Sequence, residues 1–149
     1  EVLYRKEIAL PPEAMATIRD LDAFASDDPR AHLSIAAVST VFNKADEVPD
    51  YEGAVDQILA GFERNGARNI ITKQEDFTTV SGVPGLKVFG RGNFKIPDSD
   101  EFLKGEYAIL LFCGNGFMQQ VVSSWAEEDR YAQEIVDRIL KTIEVKTVI

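Results

Sequence analysis

Apolar residues recur along this chain with two different periods. Tyr51, Ala54, Val55, Ile58, Leu59 and Phe62 return every three or four positions, which lays them along one stripe of a helix. Asp50 is placed to cap its first amides, Glu52 and Arg64 suit its two dipole ends, and Gly66 is a natural stop. Tyr131, Ala132, Ile135, Val136, Ile139 and Leu140 make a second stripe of the same kind. Its start carries Glu127 to Asp129 and its end carries Arg138 and Lys141, as the helix dipole favours. Met15, Ile18, Leu21 and Phe24 recur at a spacing near three behind Pro11 and Pro12, which predicts a short helix over Glu13 to Phe24 and a loop over Ala25 to Arg30.

Elsewhere the period is two, or the run is apolar throughout. Val2 to Ala9 predicts a short strand, and Leu33 to Phe42, apolar on both faces, predicts a central one. Asn43 to Pro49 is a polar loop. From Arg68 onward four strands follow in succession. The first runs to Thr79 and turns at Ser81-Gly82-Val83-Pro84-Gly85. The second runs from Leu86 through Gly90 and Gly92 to Ile96, the glycines marking a bulge or a close backbone approach. After an acidic loop over Pro97 to Lys104, Glu106 to Cys113 is a buried strand. Gly114-Asn115-Gly116 is the tight turn that returns it as Phe117 to Trp125. Ile143 to Ile149 predicts a closing strand or tail. Short turns make the four strands an antiparallel meander, and two singly striped helices must cover it. The expectation is one α+β domain over 1–149, a mostly antiparallel sheet flanked by helices in a layered sandwich.

That order resembles the PsbP-like fold, named for the photosystem II oxygen-evolving subunit and shared by a eukaryotic Ran-GTPase-binding protein and many small secreted bacterial proteins. The resemblance rests on three stretches. They are the helix Tyr51 to Asn65 with its strand into Ser81-Gly82-Val83-Pro84-Gly85-Leu86, the hairpin Tyr107 to Trp125, and the final helix leading into Lys141-Thr142-Ile143-Glu144-Val145. Pro11 to Arg30 departs from the fold's usual short N-terminal hairpin. The resemblance implies a binding or assembly role and carries over no functional residue.

Charge narrows the partners. The chain has 149 residues and a formal net charge of -9, with no compact run of Lys or Arg, so it lacks the cations that displace counterions from nucleic acid. No stretch approaches the roughly 20 apolar residues that span a bilayer. A single cysteine, Cys113, excludes an internal disulfide. The chain begins at Glu1 rather than Met, and with the resemblance this favours a periplasmic or secreted location over a cytoplasmic one.

The chemical candidates are few. His32, the one histidine, lies beside Asp27 and Asp28 and reads as a residue at the start of a strand, since one histidine cannot supply a multi-histidine site. Cys113 ends an apolar run, where cysteine acts as a small hydrophobe. Asp98, Asp100 and Glu101 alternate as hard cations prefer, so a divalent cation such as calcium is the alternative to having no cofactor at all, but the stretch lacks the glycine and distal glutamate of the helix-loop-helix calcium loop. Phe94, Phe117 and Trp125, with Met118, could line an apolar groove or simply pack the sheet. Gly90-Arg91-Gly92-Asn93 has no following helix to hold phosphate. The favoured expectation is a non-enzymatic binding or accessory domain with a protein partner, then a metal- or small-molecule-binding domain, and last a hydrolase, for which no nucleophile elbow or zinc signature is present.

Overall fold

The computed structural model describes residues 3–5, 18–26, 34–41, 51–80, 82–96, 99–114 and 117–143. Among them are nine elements: β1 (Leu3–Arg5), β2 (Ile18–Ser26), β3 (Ser34–Val41), α1 (Tyr51–Arg64), β4 (Arg68–Thr78), β5 (Pro84–Lys95), β6 (Phe102–Gly114), β7 (Phe117–Ala126) and α2 (Arg130–Thr142). The strands form one sheet in the order β1-β2-β3-β7-β6-β5-β4, and each neighbouring pair is antiparallel. The predicted meander is β4 to β7, and β3 joins it along β7. The α+β class expected from the sequence is therefore the class observed.

Both helices end for identifiable reasons. α1 stops at Gly66, whose φ of 96° suits glycine. There Ala67 N donates to the Phe62 carbonyl at 2.9 Å and Gly66 N donates to the Glu63 carbonyl at 2.9 Å, the paired bonds of a Schellman motif. α2 starts at Asp129, whose carboxylate accepts from the Ala132 amide at 3.0 Å. Of the acidic residues expected to load this start, Asp129 is thus the cap itself. Asp50, the expected cap of α1, lies outside the described residues.

Alternation along β6 assigns the two helices to opposite faces of the sheet. Ala108, Leu110 and Phe112 join Val121 and Trp125 under the α2 residues Ala132, Val136 and Leu140. Tyr107, Ile109 and Leu111 join Val88 and Met118 under the α1 residues Val55, Ile58, Leu59 and Phe62. A central strand buried on both faces is apolar throughout, which is why Tyr107 to Phe112 carries no interior polar position.

One expectation is corrected. Residues 18–24, predicted as the second half of a helix over Glu13 to Phe24, are strand β2, which continues through Ala25 and Ser26. β2 pairs with β3 through Leu21↔Val38, Ala23↔Ala36 and Phe24↔Ile35, and that ladder overrides a spacing near three that local sequence could equally assign to a helix. The acidic loop is also shorter than expected, because Phe102 to Lys104 already belong to β6. Of the closing strand or tail expected over Ile143 to Ile149, Ile143 is the C-cap of α2 and 144–149 lie outside the described residues. No helix among the described residues is long and apolar enough to cross a membrane.

Candidate functional site

The described surface has an open cleft of about 260 Å³ at the end of the sheet where β5 turns into β6. Asn69 and Ile71 of β4, Arg91 and Asn93 of β5 and Lys104 of β6 line it, with Glu127 at its margin. Arg91 lies opposite Ile71 and Asn93 opposite Lys104, on the face that also carries α2. The Arg91 guanidinium stands 3.9 Å from the Glu127 carboxylate, with the arginine side chain 64% exposed, so the pair is solvated and weak. Glu106, directly opposite Arg91 in the ladder, accepts from the Trp125 indole N–H at 3.0 Å. The Glu127 amide donates to the Lys104 carbonyl at 3.0 Å and closes the end of the cleft. Arg68 lies 4.8 Å over the Phe102 ring beside it. Ligand pockets usually enclose some 300–1,000 Å³ and exclude water. This cleft is smaller, open and of mixed sign.

The sequence candidates are dispersed. Phe94 packs on the α1 face, edge-on to Phe62 at 5.8 Å between centroids, over a strand where a Cβ on Gly105 would stand 2.6 Å from its ring. Trp125 is buried on the α2 face. The two aromatics therefore line no common groove, and the Phe117 side chain lies outside the described residues. Asp100 and Glu101 are exposed on the β5–β6 turn, where the Glu101 amide donates to Ser99 Oγ at 3.0 Å, and Asp98 lies outside the described residues. Calcium takes 6–8 oxygens, more than Asp100 and Glu101 offer between them. No group of three or more His, Cys, Asp or Glu that could hold a metal occurs among the described residues. Asp27, Asp28 and His32 lie outside them.

Burial governs the titratable groups that depart from their ordinary values. Cys113 sits half-buried beside the Tyr51 hydroxyl on the α1 face, and burial pushes its thiol up, only partly offset by the hydrogen bond from Tyr51. Burial likewise pushes the Tyr51 phenol up, with the bond to Cys113 adding to it. Tyr107 is raised by burial, against a bond from Thr72 that lowers it. A raised thiol is a poor thiolate source. The linkage has a definite sign. A group whose folded pKa is raised stabilises fully below its unfolded pKa and loses that contribution as pH rises through the folded value. The urea midpoint should therefore fall as pH climbs above the ordinary thiol value of 9.0, and fall further above the phenol value of 10.0. Cys113→Ala should remove the earlier part of that fall and leave the later part. A midpoint flat from pH 8 to 11 would contradict the burial of all three groups.

Of the cleft residues, Arg91 is weighed from sequence only as part of a phosphate loop, Glu127 only as a charge at a helix start, and Lys104 only as the end of an acidic loop. Their signal is the change along one face of β6 from Lys104 and Glu106 to Ala108, Leu110 and Phe112, which points to a site only once the register with Arg91 is known.

No family model matches the chain, and no curated protein matches it. Among solved structures, it is similar to PA94 of Pseudomonas aeruginosa, a protein of unknown function described provisionally as a regulator. That match has a TM-score of 0.56 at 12% identity and covers 99% of this chain and 98% of the other. At that identity the likeness defines the class of fold, an α+β sheet with helices, and nothing narrower.

Proposed function

We propose that this chain is a non-enzymatic binding or accessory domain of an exported bacterial protein, built on a PsbP-like fold and recognising a protein partner. The open, mixed-sign cleft formed by β4, β5 and β6 carries the reading, because it offers exposed ion-pairing and amide groups without enclosing a reaction volume. Two further points support it. Burial shifts Tyr51, Tyr107 and Cys113 toward their neutral forms, the opposite of what activates a nucleophile. The charge of -9 disfavours nucleic acid.

Thermal unfolding of chelator-treated protein tests the proposal. Calcium, manganese, zinc and a metabolite panel should leave the midpoint unchanged. A purified partner should raise stability by about 2.7 kcal/mol near 100 times its dissociation constant. A calcium-dependent rise abolished by Asp98→Asn with Asp100→Asn would replace this proposal with a metal-binding one, and turnover of any panel compound would end the non-enzymatic reading.

A further inference from the structure

β4 is the last strand of the sheet among the described residues, and its solvent-side edge has a self-complementary chemistry. Its pairing with β5 is irregular between Arg68 and Ile71, where Asn69 takes a positive φ of 55°, and is regular from Ile71 onward. The regular run reads Ile71, Thr72, Lys73, Gln74, Glu75, Asp76, Phe77. Thr72 to Asp76 are exposed, and Ile71 is an exposed large apolar residue at 51%.

An exposed strand edge is a template for another strand, and proteins usually block it with charge. Here the charges have a particular order. In an antiparallel pair related by a two-fold axis perpendicular to the sheet, each residue meets one on the same face, so the axis must pass through a residue paired with its own copy. With the axis at Gln74, Lys73 meets Glu75 of the second copy and Glu75 meets its Lys73. Ile71 meets Phe77 in both directions, and Thr72 meets Asp76. Every pair is opposite in charge, apolar with apolar, or, at Thr72 and Asp76, polar without like charge. With the axis at Lys73, two lysines would stand opposite each other, and with the axis at Glu75, two glutamates would, each a destabilising arrangement. The run is therefore complementary to itself in one register and repelled in the adjacent ones. Lys87, 3.6 Å from Glu75 inside the chain, extends the alternation of sign across the joint.

We propose that two copies of this chain associate edge to edge through β4, centred on Gln74, joining their sheets into one. The contact is one strand wide, smaller than the roughly 1,200–2,000 Å² of stable complexes, so the dimer is weak and concentration-dependent.

Sedimentation velocity of the whole chain over rising concentration tests this, with circular dichroism checking that each variant is folded. The wild type should shift toward dimer as concentration rises. Lys73→Glu and Glu75→Lys should each weaken association by at least about tenfold, because two favourable cross-strand pairs become two repulsive ones. Lys73→Glu is the cleaner probe, since it leaves the Lys87–Glu75 pair intact. The double variant Lys73→Glu/Glu75→Lys should recover wild-type association to within about threefold. A chain monomeric throughout, single variants that associate as the wild type does, or a double variant as weak as the singles would each overturn the proposal.

Discussion

Gly90→Ala is expected to lower stability by about 2–3 kcal/mol, and the thermal midpoint by roughly 5–10 °C, although alanine is ordinarily the better strand residue. The cause lies in a row of facing residues. Thr72 on β4 faces Gly90 on β5, and Gly90 faces Tyr107 on β6. The Tyr107 side chain passes over the position where Gly90 has none and reaches β4 two strands away. Its hydroxyl donates to the Ile71 carbonyl at 3.1 Å and shares a 2.7 Å hydrogen bond with Thr72 Oγ1. A Cβ at position 90 would be driven into the Ile71 carbonyl oxygen, 2.9 Å from its carbon, and would stand 3.1 Å from the Tyr107 oxygen. The Ile71 atoms are backbone, so β4 itself would have to move, at a cost of about 1–3 kcal/mol for overpacking. Losing the Tyr107 bond adds about 1 kcal/mol. Reduced freedom of the unfolded chain offsets only about 0.4–1 kcal/mol. Urea denaturation measures the sum, and a change below about 1 kcal/mol would show that β4 does not rest on this row.

This glycine marks the limit of what the sequence discloses. Gly90 and Gly92 signal a bulge or a close approach, and the approach is present. Which residue comes close is a matter of register, and no local pattern contains it. The same limit explains the uneven record along the chain. The stripe from Tyr51 to Phe62 identifies α1 because a helix buries its own period. β2 reads locally as a helix because Ile18, Leu21 and Phe24 fit a helical spacing, while the partners that make the segment a strand lie on β3. Tyr107 to Phe112 was legible as buried, but that its alternate residues serve two helices on opposite faces follows only from the assembled sheet.

The candidate site was less legible for a related reason. Sequence reasoning favours residues that cluster along the chain, such as Asp98, Asp100 and Glu101. The cleft instead joins Asn69, Arg91, Lys104 and Glu127 from separate strand ends. These polar residues are each visible in the sequence, but their meeting is a product of antiparallel registry. The aromatic candidates failed in the opposite way. Phe94 and Trp125 share a chemical type, yet the strand period sends them to different sides of the sheet.

That two-sided core makes the second large effect quantitative. Ile109 and Leu110 are adjacent on β6, both fully buried, and belong to different clusters, one beneath α1 and one beneath α2. Truncating either to alanine removes transfer free energy and opens a cavity, so each single variant should lose about 2–5 kcal/mol. Their side chains share no cluster, so the losses should add to within about 0.5 kcal/mol. The double variant then loses roughly 4–10 kcal/mol against a total of about 5–15 kcal/mol typical of folded domains, and should keep a urea midpoint well below that of either single variant. Leu110→Ala with Val136→Ala makes the contrast, because both residues lie in the α2 cluster and the second truncation enlarges a cavity already open. That pair should depart from additivity by about 0.5 kcal/mol or more. Urea midpoints of the single and double variants decide the matter. Strong coupling between Ile109 and Leu110, with none between Leu110 and Val136, would mean that the sheet does not separate its two apolar layers.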